Sequence, residues 1–84
     1  INELIKKIET LSIEPLKINN CLIKLNSKEI SQKRKIKEIL LRPEINLKEI
    51  YRISDDIKNI IGRTIPGELL DILDTRIKYQ GVDY

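Results

Sequence analysis

Histidine is absent from this 84-residue sequence, as are alanine, phenylalanine, tryptophan and methionine. Lack of histidine removes the commonest general base and the commonest transition-metal ligand, which argues against Ser-His or Cys-His catalysis and against a metal hydrolase. Cysteine occurs once, at Cys21. An internal disulfide is thereby excluded, a reducing compartment is suited, and a thiol at an apolar helical position reads as a small buried hydrophobe. The three glycines, Gly62, Gly67 and Gly81, form neither G-x-G-x-x-G nor a Walker A loop, so no nucleotide cradle is encoded. No apolar run has the length of a membrane span, and no signal peptide is visible. The expected location is the cytoplasm, with no membrane partner.

What remains is a chain of isoleucine, leucine and charge. Isoleucine and leucine supply nearly all the apolar content, a profile that fits A- and T-rich codon usage, so β-branched residues are poor evidence for strands here. A chain of this length makes one domain and buries only roughly 60 to 65% of its unfolded surface. Sixteen basic against 13 acidic residues give a net charge of +3. The same codon usage inflates lysine, so only clustering of the cations points to nucleic acid.

Helical spacing runs the length of the chain. Leu4, Ile5, Ile8 and Leu11 form one stripe, capped by Asn2, and predict a helix from Glu3 to Leu11. Pro15 opens a second helix whose inner face is Ile18, Cys21, Leu22 and Leu25, with Asn19, Asn20 and Lys24 facing water and Asn26-Ser27 as its stop. Residues 28 to 35 read mostly as loop. A third helix from Lys33 to Leu41, with Ile36, Ile39 and Leu40 inward, must end near Arg42, because the residue before Pro43 is pushed out of the α region. Asn46 caps a fourth with Leu47, Ile50, Tyr51 and Ile53 inward and Glu49 placed for a capping box. Ser54 starts a fifth that carries Ile57, Ile60 and Ile61 and stops at Gly62. Pro66 opens a last helix with Leu69, Leu70, Leu73 and Ile77 inward, acids early, cations late, and Asp74 and Lys78 at i, i+4. The expected fold is all-α: an irregular bundle of five or six short helices, the last one longest.

Few residues suggest chemistry. Lys33, Arg34, Lys35, Lys37 and Arg42 are the densest positive charge and suit either a phosphate backbone or a solvated surface. Asp55-Asp56 reads as capping groups rather than as acid/base machinery. Tyr79, at the end of the last helix, suits either an interface anchor or closure of the core.

Two segments carry a resemblance. Leu40-Leu41-Arg42-Pro43-Glu44-Ile45 and, after it, Arg76-Ile77-Lys78-Tyr79-Gln80-Gly81 resemble the C-terminal helical region of the MnmG, or GidA, family. Ile13-Glu14-Pro15, with Asn19 after it, is also similar to some members. That family is the flavoprotein subunit that modifies the wobble uridine of certain tRNAs together with the GTPase MnmE. The resemblance implies FAD and NADH in N-terminal domains, a homodimeric parent, and a helical C-terminal region that engages tRNA and MnmE.

This chain is then expected to be a non-catalytic module, residues 1–84 forming a single helical domain within a longer C-terminal region; the absence of an initiating methionine agrees. The positions that match are Arg42, Pro43, Lys78, Tyr79 and Gly81. Arg42 and Lys78 are expected to meet phosphate or acidic partner groups, with Tyr79 beside them, while Pro43 and Gly81 hold shape. Charge clustering adds Lys33, Arg34 and Lys35. Two alternatives stand beside this reading: a free-standing helix-turn-helix-like DNA binder and a pure protein-interaction bundle.

Overall fold

The computed structural model describes residues 2–80. Its six helices are, in chain order, α1 (Asn2–Glu9), α2 (Pro15–Lys24), α3 (Ile36–Leu40), α4 (Leu47–Ile53), α5 (Asp55–Ile61) and α6 (Gly67–Gln80). Two short strands, β1 (Ser12–Ile13) and β2 (Arg34–Lys35), accompany them. The all-α expectation holds, with α6 longest at 14 residues. No helix among the described residues is long and apolar enough to cross a membrane.

The helix ends are set by local chemistry. Pro15 occupies the first turn of α2, where a missing N–H costs nothing. Asn46 accepts a hydrogen bond from the Lys48 amide at the start of α4, and Ser54 accepts one from the Ile57 amide at the start of α5. Glu49 does not complete a capping box; its carboxylate lies 3.7 Å from Arg52 instead. Gly62 ends α5 at φ +99°, a region that side-chain-bearing residues rarely adopt. Its carbonyl accepts the Tyr51 hydroxyl at 2.6 Å, which ties α4 to the α5 exit.

The aliphatic stripes converge on one core. Ile5 and Ile8 of α1, Ile18 and Leu22 of α2, Ile36, Ile39 and Leu40 of α3, Leu47 and Ile50 of α4, Ile57 of α5 and Leu70, Leu73 and Ile77 of α6 are all buried. Helix α4 packs chiefly on α6 and also on α2, and α3 lies between α1 and α6. Ile53, expected inside, is 38% exposed because it falls on the last residue of a short helix that turns away at Ser54.

Two further expectations fail for tertiary reasons. Asn19 does not face water: its Oδ1 accepts the Ile30 amide at 2.9 Å and its Nδ2 donates to the Ile30 carbonyl at 3.0 Å. A single side-chain amide thus stands in for a strand partner and pins the loop after α2. The third helix does not begin at Lys33. Arg34 and Lys35 pair antiparallel with Ser12 and Ile13, in the register Ser12 to Lys35 and Ile13 to Arg34. The Ile36 amide extends the ladder to the Leu11 carbonyl at 3.0 Å. Three successive cations would oppose the dipole of a helix start, whereas a strand carries almost no net dipole.

Candidate cationic site

Strand geometry, rather than sequence proximity, decides where the basic cluster points. Successive side chains along an extended segment face opposite ways, and here they separate: Arg34 lines a cleft with Lys28, Glu29, Ser31, Glu38 and Arg42, while Lys33, just before β2, lines another with Glu14, Lys17, Asp55 and Asp56. Lys35 is exposed on the strand. The first cleft, about 310 Å³, is the one that unites two of the expected site residues, Arg34 and Arg42. Lys28 joins them unforeseen. Its proximity depends on the turn after α2, where Asn26 takes a positive φ of 56° and reverses the chain. An Asn-Ser pair at a helix stop was the available signal, but it does not say in which direction the chain leaves the turn.

Arg42 is held rather than free. Its guanidinium donates to the Ser27 hydroxyl at 2.9 Å and to the Lys28 carbonyl at 2.5 Å. Ser27, which is buried, in turn donates to Glu44 Oε2 at 2.7 Å. The Ser27 hydrogen bond, with a smaller backbone contribution at Glu44 itself, holds the Glu44 carboxyl below its usual range. Arg34, on β2, approaches Glu38 of α3 at 3.9 Å, an exposed and therefore weak pair.

The depressed carboxyl makes stability depend on pH. A folded pKa below the unfolded one favours the folded state at neutral pH, and that contribution disappears as the pH falls through the folded pKa. Glu44 should therefore titrate below the usual glutamate range in a carboxyl-detected NMR titration. Ser27→Ala should move it back up and remove its share of the acid destabilisation. An unmoved Glu44 titration in Ser27→Ala would refute the assignment.

Lys78 occupies a different place from the cleft. Its ammonium donates to the Leu40 carbonyl at 2.6 Å, to the Ile45 carbonyl at 2.5 Å and to Asp74 Oδ1 at 2.8 Å. Asp74, 5% exposed, accepts the Leu47 amide at 3.0 Å. One turn of α6 thus sets a cation at the C-terminal end of α3 and an anion at the start of α4, each as its helix dipole prefers. Tyr79 is 59% exposed and does not close the core. Gly81 falls outside the described residues.

No catalytic arrangement accompanies these groups among the described residues. Burial pushes the Cys21 thiol up, and nearby Glu49 adds to the effect, so it stays a weak nucleophile. Asp55 pairs with Arg63 at 3.8 Å. Among the described residues no group of three or more Cys, Asp or Glu side chains is placed to hold a metal. The described residues also do not fit a flavin or nicotinamide. A dinucleotide cradle needs open glycines between a strand and a helix, whereas Gly67 starts α6 from a loop and faces the Lys48 stem at 3.4 Å from where its Cβ would stand.

Among known proteins, residues 1–82 match the family described as the tRNA modifying enzyme MnmG/GidA C-terminal helical domain. The chain is 30% identical over 70 residues to the tRNA uridine 5-carboxymethylaminomethyl modification enzyme MnmG of Flavobacterium psychrophilum, an alignment covering 83% of this chain and 11% of that protein. The chain therefore spans about a ninth of that relative. No solved structure matches.

Proposed function

Since the chain belongs to the MnmG/GidA C-terminal helical domain family, we propose that it is a non-catalytic helical module serving an FAD-dependent, homodimeric tRNA-modifying parent by engaging tRNA and the GTPase partner MnmE. Flavin and nicotinamide chemistry belongs, in this reading, to parts of the parent beyond this chain. The observation that supports the tRNA contact is the cleft in which Lys28 and Arg34 come together from separate segments beside the internally bonded Arg42. Convergent cations neutralise phosphates and release counterions. Lys33, in a cleft it shares with Glu14, Asp55 and Asp56, and the exposed Lys35 are secondary candidates in this reading, and Tyr79 offers an exposed ring beside Lys78. Arg42 and Lys78 contribute chiefly by holding the joint between α3 and α4, because their charged groups already engage internal acceptors.

The experiment is a tRNA titration at two or more salt concentrations with Lys28→Gln/Arg34→Gln, which leaves Arg42 and its hydrogen bonds in place. Binding should weaken roughly tenfold, and the slope of log affinity on log salt should fall by about 1 to 2. Unchanged affinity and slope would remove the site. Duplex DNA bound as tightly as tRNA would favour the helix-turn-helix alternative, and MnmE binding without tRNA affinity the pure interaction bundle. Against the DNA reading, α4 offers just two outer cations, Lys48 and Arg52, and Lys48 faces Asp71 of α6 at 3.0 Å.

A further inference from the structure

Helix α2 carries a second apolar ridge that the fold leaves uncovered. Leu16 is 93% exposed and Ile23 is 53% exposed, although both belong to a helix whose opposite side, Ile18 and Leu22, is fully buried. They stand seven residues apart, so they lie on one line of the helix about 10 Å from each other. Lys17 and Lys24 repeat the same spacing on the adjoining line. Neither lysine makes an ion pair among the described residues. Beyond them a cleft of about 370 Å³ opens between α2 and α4, lined by Cys21, Ile53, Glu49 and Arg52 as well as by both lysines. Glu49 is already paired with Arg52, which leaves Lys17 and Lys24 to set the charge of the groove.

From this arrangement we infer that the outer face of α2, with the α2–α4 cleft beside it, is a docking surface for an acidic amphipathic helix of a partner protein. A seven-residue repeat of aliphatic side chains is the spacing that a second helix meets with its own apolar seam. Flanking lysines at the same repeat select carboxylates on the flanks of that seam and disfavour a basic helix. The aliphatic ridge decides against nucleic acid as occupant, because Leu16 and Ile23 offer no flat face on which a base can stack. The surface uses none of the residues assigned to tRNA and stands independently of that reading.

The test uses the chain with two synthetic helices of about 21 residues, leucine at the a and d positions and either glutamate or lysine elsewhere. Binding is measured by fluorescence anisotropy, with circular dichroism as the control for folding. The glutamate helix should bind at least about tenfold tighter than the lysine helix. Leu16→Ser/Ile23→Ser should weaken it roughly tenfold or more with the helical fold retained, since neither side chain belongs to the buried core. Lys17→Glu/Lys24→Glu should reverse the preference between the two peptides. Equal binding of both peptides, or full binding by Leu16→Ser/Ile23→Ser, overturns the proposal. So does single-stranded RNA binding abolished by Lys17→Glu/Lys24→Glu in the absence of peptide binding, which would make the face an RNA contact. Self-association in sedimentation, lost in Leu16→Ser/Ile23→Ser, would make the occupant a second copy and overturns it equally.

Discussion

Asp74→Ala should lower the free energy of unfolding by about 3 kcal/mol, a large share of the roughly 5 to 10 kcal/mol expected for a domain of this size. The carboxylate accepts the buried Leu47 amide at 3.0 Å and the Lys78 ammonium at 2.8 Å. Truncation leaves an amide without its acceptor and a largely covered cation without its counter-charge, the two situations in which losing one partner costs more than the pair contributes. Asp74→Asn, which keeps an acceptor for Leu47 but not the charge, should lose about half as much. Urea denaturation checks the series, and the double variant Asp74→Ala/Lys78→Met should be more stable than the sum of its parts. Additive losses would show that the two groups do not act together. The same series also tests the proposed tRNA contact, because the Lys78 ammonium fixes the Leu40 and Ile45 carbonyls on either side of Arg42.

Ile50→Ala should cost a similar amount, about 3 kcal/mol, by a different route. Ile50 is fully buried on α4, which packs on α6 and α2, so its removal leaves a cavity among side chains fixed on three helices. Leu16→Ala is the matched comparison. It deletes a side chain of similar size from a helical position 93% exposed, and it should change stability by less than about 0.5 kcal/mol. Thermal or urea unfolding of the two variants should therefore differ by most of the Ile50 effect. Comparable losses would mean that α2 is covered in solution by something the chain itself supplies.

Both pairs show where reading the residues succeeds. Asn46, Ser54, Pro15 and Gly62 mark helix ends because capping, ring closure and positive φ act within a few residues, so their effects are written locally. The stripes of α1 and α6 were legible for the same reason. Asp74 and Lys78 were also legible as an i, i+4 pair, but not as the link between two other helix ends. The candidate site was less legible. A run of three cations looks like one patch, yet pairing with Ser12 and Ile13 made Arg34 and Lys35 a strand and sent Arg34 and Lys33 into different clefts. That strand contains no β-branched residue, so composition held no signal for it and pairing with β1 alone defines it.

The sequence by itself determined the helical class, the helix ends marked by Pro15, Asn46, Ser54 and Gly62, and the absence of histidine-based chemistry, because each depends on composition or on interactions no longer than one helical turn. Only the tertiary structure decided which charges stand together and which are consumed internally. Arg42 reaches Lys28 across 14 positions and Lys78 reaches Leu40 across 38. Contacts at that separation exist only once the core has closed, and the direction of each side chain is set by the elements that pack around it.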